Sequence, residues 1–153
     1  MWPQSETPIC WDAVGRANVQ DQDEWLLAEA KADLQELEYS SRAKEAGGRA
    51  KIHALMEATK LALGVPANRD WMTKYYQFCN RVMALHFLVE NDQPAHLLLI
   101  YFVGDKGSER RVCPQEEDGW MEALSNQDRH VGLPESHKLV GRIHKLFLHV
   151  CPR

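Results

Sequence analysis

At 153 residues, with 44% hydrophobic and 26% charged residues, the chain is the size of one globular domain and can bury a real core. A formal net charge of −4 argues against a histone-like protein that binds nucleic acid by bulk charge. The longest apolar run, Leu97 to Val103, is far too short to span a bilayer, so no membrane-inserted segment is expected.

The charge is unevenly spread. Residues 1–40 carry nine Asp/Glu and two Lys/Arg, whereas residues 41–81 carry eight Lys/Arg and three Asp/Glu. That division suits a metal site beside a phosphate-binding face, or simply two solvated faces of opposite sign. The four cysteines, Cys10, Cys79, Cys113 and Cys151, show neither zinc-ligand spacing nor a secreted disulfide framework, and read as reduced thiols of a cytoplasmic protein. Met1-Trp2-Pro3-Gln4-Ser5-Glu6 lacks the basic and apolar regions of a signal peptide.

In chain order, Ile9 to Val19 reads as a strand with Trp11 and Ala13 on one face and Cys10, Asp12 and Val14 on the other. Gln20-Asp21-Gln22-Asp23 is a polar turn, and Glu24 to Lys31 follows. Gly47-Gly48 precedes a helix expected from about Arg49 to Leu63, ended by Gly64 and Pro66. Asn68 or Asp70 can cap a long helix from about Trp71 to Glu90, with Met72, Tyr75, Tyr76, Cys79, Val82, Met83 and Phe87 at helical spacing. Ala95 to Val103 is a continuous apolar run between Pro94 and Gly104, expected as a central strand covered on both faces. A helix over about 115–128 and a final strand over Ile143 to Val150 complete a single α/β or α+β domain over residues 1–153.

Glu24 to Lys31 is ambiguous. Trp25, Leu26, Leu27, Ala30, Leu34 and Leu37 make a helical stripe, and local propensity favours the helix. On a helix, Glu29 and Lys31 lie roughly 200° apart and cannot share a site. On a strand, Leu27, Glu29 and Lys31 share a face. A hairpin pairing Val19 with Glu24 sets Asp12 opposite Lys31 and diagonal to Glu29. A slip by two residues sets Asp12 opposite Glu29, with all three still on one face. Two such close carboxylates repel unless a cation lies between them.

Asp12, a turn, and then Glu29-Ala30-Lys31 on the neighbouring strand resemble the signature of the PD-(D/E)XK nuclease superfamily. The apolar residues Ile9-Cys10-Trp11 and Trp25-Leu26-Leu27 fit it, as does the order of helices and then a buried strand. Asp70-Trp71 and Tyr75-Tyr76-Gln77-Phe78-Cys79-Asn80-Arg81 are similar to bacterial proteins of this type. The chain departs from the pattern in lacking the usual N-terminal helix and strand, and in having Trp11 where the motif has proline.

The resemblance implies a restriction-endonuclease-like mixed sheet flanked by helices. It implies that Asp12, Glu29 and the carbonyl of Ala30 bind Mg²⁺ or Mn²⁺, oxygen ligands suiting a hard cation. Lys31 would orient or deprotonate the attacking water, and Gln77 would stand beside the site on a helix. The expected substrate is DNA, with phosphate contacts drawn from Arg42, Lys44, Arg49, Lys51, Lys74 and Arg81, and Tyr75 or Tyr76 near bases or sugars. The seven histidines form no metal-ligand pattern. A homodimer would cover the edge of a shortened sheet. The alternatives are a catalytically inactive module of the same fold, binding protein or nucleic acid, and a small helical interaction protein. The last requires Glu24 to Tyr39 to be helix.

Overall fold

The computed structural model describes residues 10–38, 48–108 and 110–151. The expected strand start at Ile9 and the basic residues Arg42 and Lys44 lie outside them. The elements are β1 (Ala13–Val19), β2 (Gln22–Lys31), a 3-10 turn (Leu34–Glu38), α1 (Gly48–Leu63), α2 (Tyr76–Glu90), β3 (Ala95–Val103), α3 (Asp118–Val131) and β4 (Ile143–His149). The class is mixed α+β. The four-stranded sheet has the order β1-β2-β3-β4, with β1 antiparallel to β2 and the other pairs parallel.

Residues Glu24 to Lys31 are strand, against their local propensity. Helix propensities differ by only tenths of a kcal/mol per residue. As an inner strand, β2 has ladder bonds on both sides, to β1 and to β3, and buries Leu27 and Glu29 on the face toward the helices. Tertiary pairing therefore overrides the local preference.

The hairpin is tighter than the four-residue turn expected. Gln20 and Asp21 alone connect the strands, both at positive φ (50° and 64°), so Val19 pairs with Gln22 and Ala13 with Ala28. This is the register slipped by two residues, and its continuation brings Asp12 level with Glu29. The double positive φ matches the turn whose twist suits a two-residue hairpin.

The long helix starts later than its spacing suggests. Asp70 accepts hydrogen bonds from the backbone N–H groups of Met72 and Thr73 and from the Thr73 hydroxyl, which holds residues 70–73 in a local turn. Tyr75 then sits in the left-handed region (φ 59°) and α2 begins at Tyr76.

Strand β3 differs from a strand covered on both faces. Ala95, Leu97, Leu99, Tyr101 and Val103 are buried, whereas His96, Leu98, Ile100 and Phe102 are half-buried. The buried set shares one core with α1, α2 and α3, which includes Met56, Cys79, Val82, Leu85, Trp120 and Leu124. Its two large indoles are satisfied: Trp71 Nε1 donates to the Val131 carbonyl and Trp120 Nε1 to that of Phe102, each at 2.9 Å. None of the four cysteines forms a disulfide. Among the described residues, no helix is long and apolar enough to cross a membrane.

Two predictions follow from these elements. Converting Gln20-Asp21 to Asn-Gly should stabilise the protein by about 1 kcal/mol in urea unfolding, because Asn-Gly relieves the left-handed strain; a loss of stability would contradict the turn geometry. Burial holds the imidazoles of His86, His137 and His144 below their ordinary value of 6.5, with nearby His96 adding to the effect at His144. The unfolded chain therefore takes up these protons first, so stability falls as pH drops through about 6.5. A urea midpoint lower at pH 5.5 than at pH 7.5 is expected, and an unchanged midpoint would contradict it.

Candidate active site

The predicted residues converge at the C-terminal end of β2. Glu29 and Lys31, two apart on the strand, share the face toward α2, and the Lys31 ammonium donates to Glu29 Oε1 at 2.6 Å. Gln77, on the first turn of α2, joins both. Its Oε1 accepts from Lys31 at 2.8 Å, and its Nε2 donates to Glu29 Oε1. The three side chains thus close a ring between a strand and a helix more than 40 residues later in the chain.

Asp12 comes in from the first strand's entry. Its N–H donates to the Ala28 carbonyl at 3.1 Å, and its Oδ2 accepts from the Ala30 N–H at 2.7 Å. The carboxylate thereby takes the place of a ladder carbonyl just ahead of the start of β1, and it is fixed to the residue between Glu29 and Lys31. Asp12 is exposed.

Arg81 was expected on the phosphate-contacting surface, and the structure corrects this. Its guanidinium is 5% exposed, with Nε 2.8 Å from Glu29 Oε2 and another nitrogen 2.7 Å from the Cys10 carbonyl. It also lies over the Trp11 ring, 4.5 Å from the centroid. Gln77 and Arg81 are four apart on α2 and so share one helix face, a spacing legible in the sequence. The other basic residues stay outside. Arg49 and Lys51 are exposed on α1. Lys74 is exposed beside Glu38 at 2.8 Å, and that hydrogen bond raises its pKa above the usual lysine value. Tyr75 is a core residue, packed edge-on against His130.

Sequence reasoning missed two further residues. Glu36 and Gln127 line the same small cavity as Glu29, Lys31, Gln77 and Arg81. Glu36 Oε2 accepts from the Ala32 N–H at 2.8 Å. Neither residue belongs to a motif: Glu36 lies in a short turn and Gln127 on the distant helix α3.

Asp12, Glu29 and the Ala30 carbonyl offer oxygen donors, the kind that hard divalent cations take, although both Glu29 oxygens already have partners. Among the described residues, no cluster of three or more His, Cys, Asp or Glu side chains surrounds one point. Mg²⁺ does not demand one, since it is commonly held by one or two carboxylates together with substrate phosphates. Charge is the tighter constraint. Asp12, Glu29, Lys31 and Arg81 bring two charges of each sign, so the four together hold no excess negative charge for a cation.

No protein-family model, curated protein or solved structure matches this chain.

Removing one partner from a buried ionic cluster strands the others. Glu29→Ala should therefore cost about 3 kcal/mol or more in urea unfolding, whereas Asp12→Ala, at an exposed hydrogen bond, should cost about 1 kcal/mol or less. Equal losses in the two variants would contradict the buried cluster.

Proposed function

We propose that the chain is a Mg²⁺- or Mn²⁺-dependent phosphodiesterase of the restriction-endonuclease-like type, acting on DNA in the cytoplasm. The observation that carries this reading is the closed ring of Glu29, Lys31 and Gln77 with Asp12 locked to the amide of Ala30. Element order supports it as well: an Asp immediately ahead of the first strand, a Glu-x-Lys strand, helices and then a buried strand.

Asp12, Glu29 and the Ala30 carbonyl would hold the cation, which when bound polarises the scissile phosphate and lowers the pKa of a coordinated water. Lys31, fixed by Glu29 and Gln77, places its positive charge beside the site where charge would grow on the phosphate oxygens. Gln77 is a positioning residue that holds the acid and the ammonium in one geometry. Arg81 anchors the far oxygen of Glu29. Phosphate contacts along the duplex would be drawn from exposed Arg49 and Lys51, and from Lys74 beside Glu38. A homodimer would form on β1, the edge strand next to the site.

A second reading, a nuclease-fold module that binds without cleaving, is favoured by one observation. Both oxygens of Glu29 already have partners, two of them cationic.

Plasmid nicking separates the two readings. Wild-type protein with Mg²⁺ or Mn²⁺ should nick, and Asp12→Ala and Lys31→Ala should each lower the rate by about 100-fold or more. Nicking that survives both substitutions would remove the site. DNA binding without nicking by the wild type would establish the second reading.

A further inference from the structure

One buried polar group takes no part in the hydrogen bonds described above. Gln127, on α3, is 1% exposed, and its Oε1 has no hydrogen-bond partner among the described residues. An amide oxygen buried without a partner is unfavourable, and such groups are ordinarily satisfied by protein or by ordered water. Gln127 lines the cavity that Glu29, Lys31, Glu36, Gln77 and Arg81 also line.

That cavity measures about 10 Å³, close to the minimum that admits a single water. Its walls offer what such a water needs. The Lys31 ammonium carries three protons, and the hydrogen bonds to Glu29 Oε1 and Gln77 Oε1 use two of them. Glu36, which also lines the cavity, spends Oε2 on the Ala32 amide, which leaves its other oxygen as an acceptor. A water placed there would accept from Lys31 and donate to Gln127 Oε1 and to Glu36. Three partners is the usual complement of a buried water.

We propose that Gln127 is a positioning residue of this site, acting through one buried water that ties its Oε1 to the Lys31 ammonium. The catalytic consequence rests on the phosphodiesterase reading, while the link itself does not. Glu29 and Gln77 hold the ammonium on the sides of β2 and α2, and the water holds it from α3. Three directions fix the nitrogen where two would let it swing. With its three protons held in this way, Lys31 acts on the developing charge through its field alone; losing the third contact leaves DNA binding intact and blurs the position of that charge.

The test pairs a crystal structure with steady-state kinetics. The wild-type crystal should show an ordered water within about 3.2 Å of both Gln127 Oε1 and Lys31 Nζ. Gln127→Met, similar in shape but without the acceptor, should lose that water. It should also lower kcat about 10-fold with KM unchanged, while retaining the thermal unfolding midpoint of a folded protein. A merely structural role would not separate kcat from KM in this way. An empty wild-type cavity, or an unchanged kcat in a folded Gln127→Met, overturns the proposal. If the wild type cleaves no DNA, the phosphodiesterase reading falls separately. The water's presence in the wild type and its loss in Gln127→Met would still uphold the Gln127–Lys31 link.

Discussion

The rest of this structure is arranged around the buried carboxylate of Glu29. At 3% exposure it cannot rely on water, so it must be met by donors from the protein. Lys31 comes back to it along the same strand face, and Gln77 and Arg81 reach it from one face of α2. These contacts join β2 to α2, and through Arg81 to the Cys10 carbonyl ahead of β1. Buried ionic clusters of this kind often stabilise no better than apolar packing of equal volume. Leucine packed there would hold this point of the sheet as well.

The backbone around the cluster serves the same end. Because Asp70 holds a local turn and Tyr75 takes a left-handed conformation, α2 starts at Tyr76 and Gln77 falls in its first turn. Unsatisfied amide groups at a helix start favour anions. The α2 N-terminus therefore adds positive potential beside Lys31 in a cluster whose four charged groups already balance. A phosphodiester brings one negative charge and Glu36 lies on the cavity wall with another. In the proposed activity, nucleic acid and metal thus complete one another's site.

Much of the fold was legible because its signals were local and strong. The apolar run between Pro94 and Gly104 gave β3, and the glycine and proline boundaries gave the end of α1. The class of Glu24 to Lys31 was not legible from propensity, because ladder bonds from β1 and β3 decide it and both partners are remote or weakly marked. The hairpin register turned on whether two or four polar residues form the turn, and Gln20-Asp21 is not a sequence that announces left-handed residues. The start of α2 was obscured by an aspartate that reads equally as a helix cap and as a turn former. At the site, Asp12, Glu29, Lys31 and Gln77 were named in advance and lie together. Arg81 was named for the wrong surface, since a basic residue's burial depends on a partner that only the fold supplies. Gln127 carried no signal, because its only distinction is a missing hydrogen bond.

In the proposed activity, the cluster around Glu29, whose four charged groups balance, accepts a divalent cation only together with a phosphate backbone. Mn²⁺ binding followed by electron paramagnetic resonance, with and without a phosphorothioate duplex that resists cleavage, tests this most directly. The account predicts weak or undetectable binding to the protein alone and clear binding in the ternary mixture, abolished by Asp12→Ala. Equal Mn²⁺ affinity with and without the duplex, or a ternary signal that persists in Asp12→Ala, would contradict it.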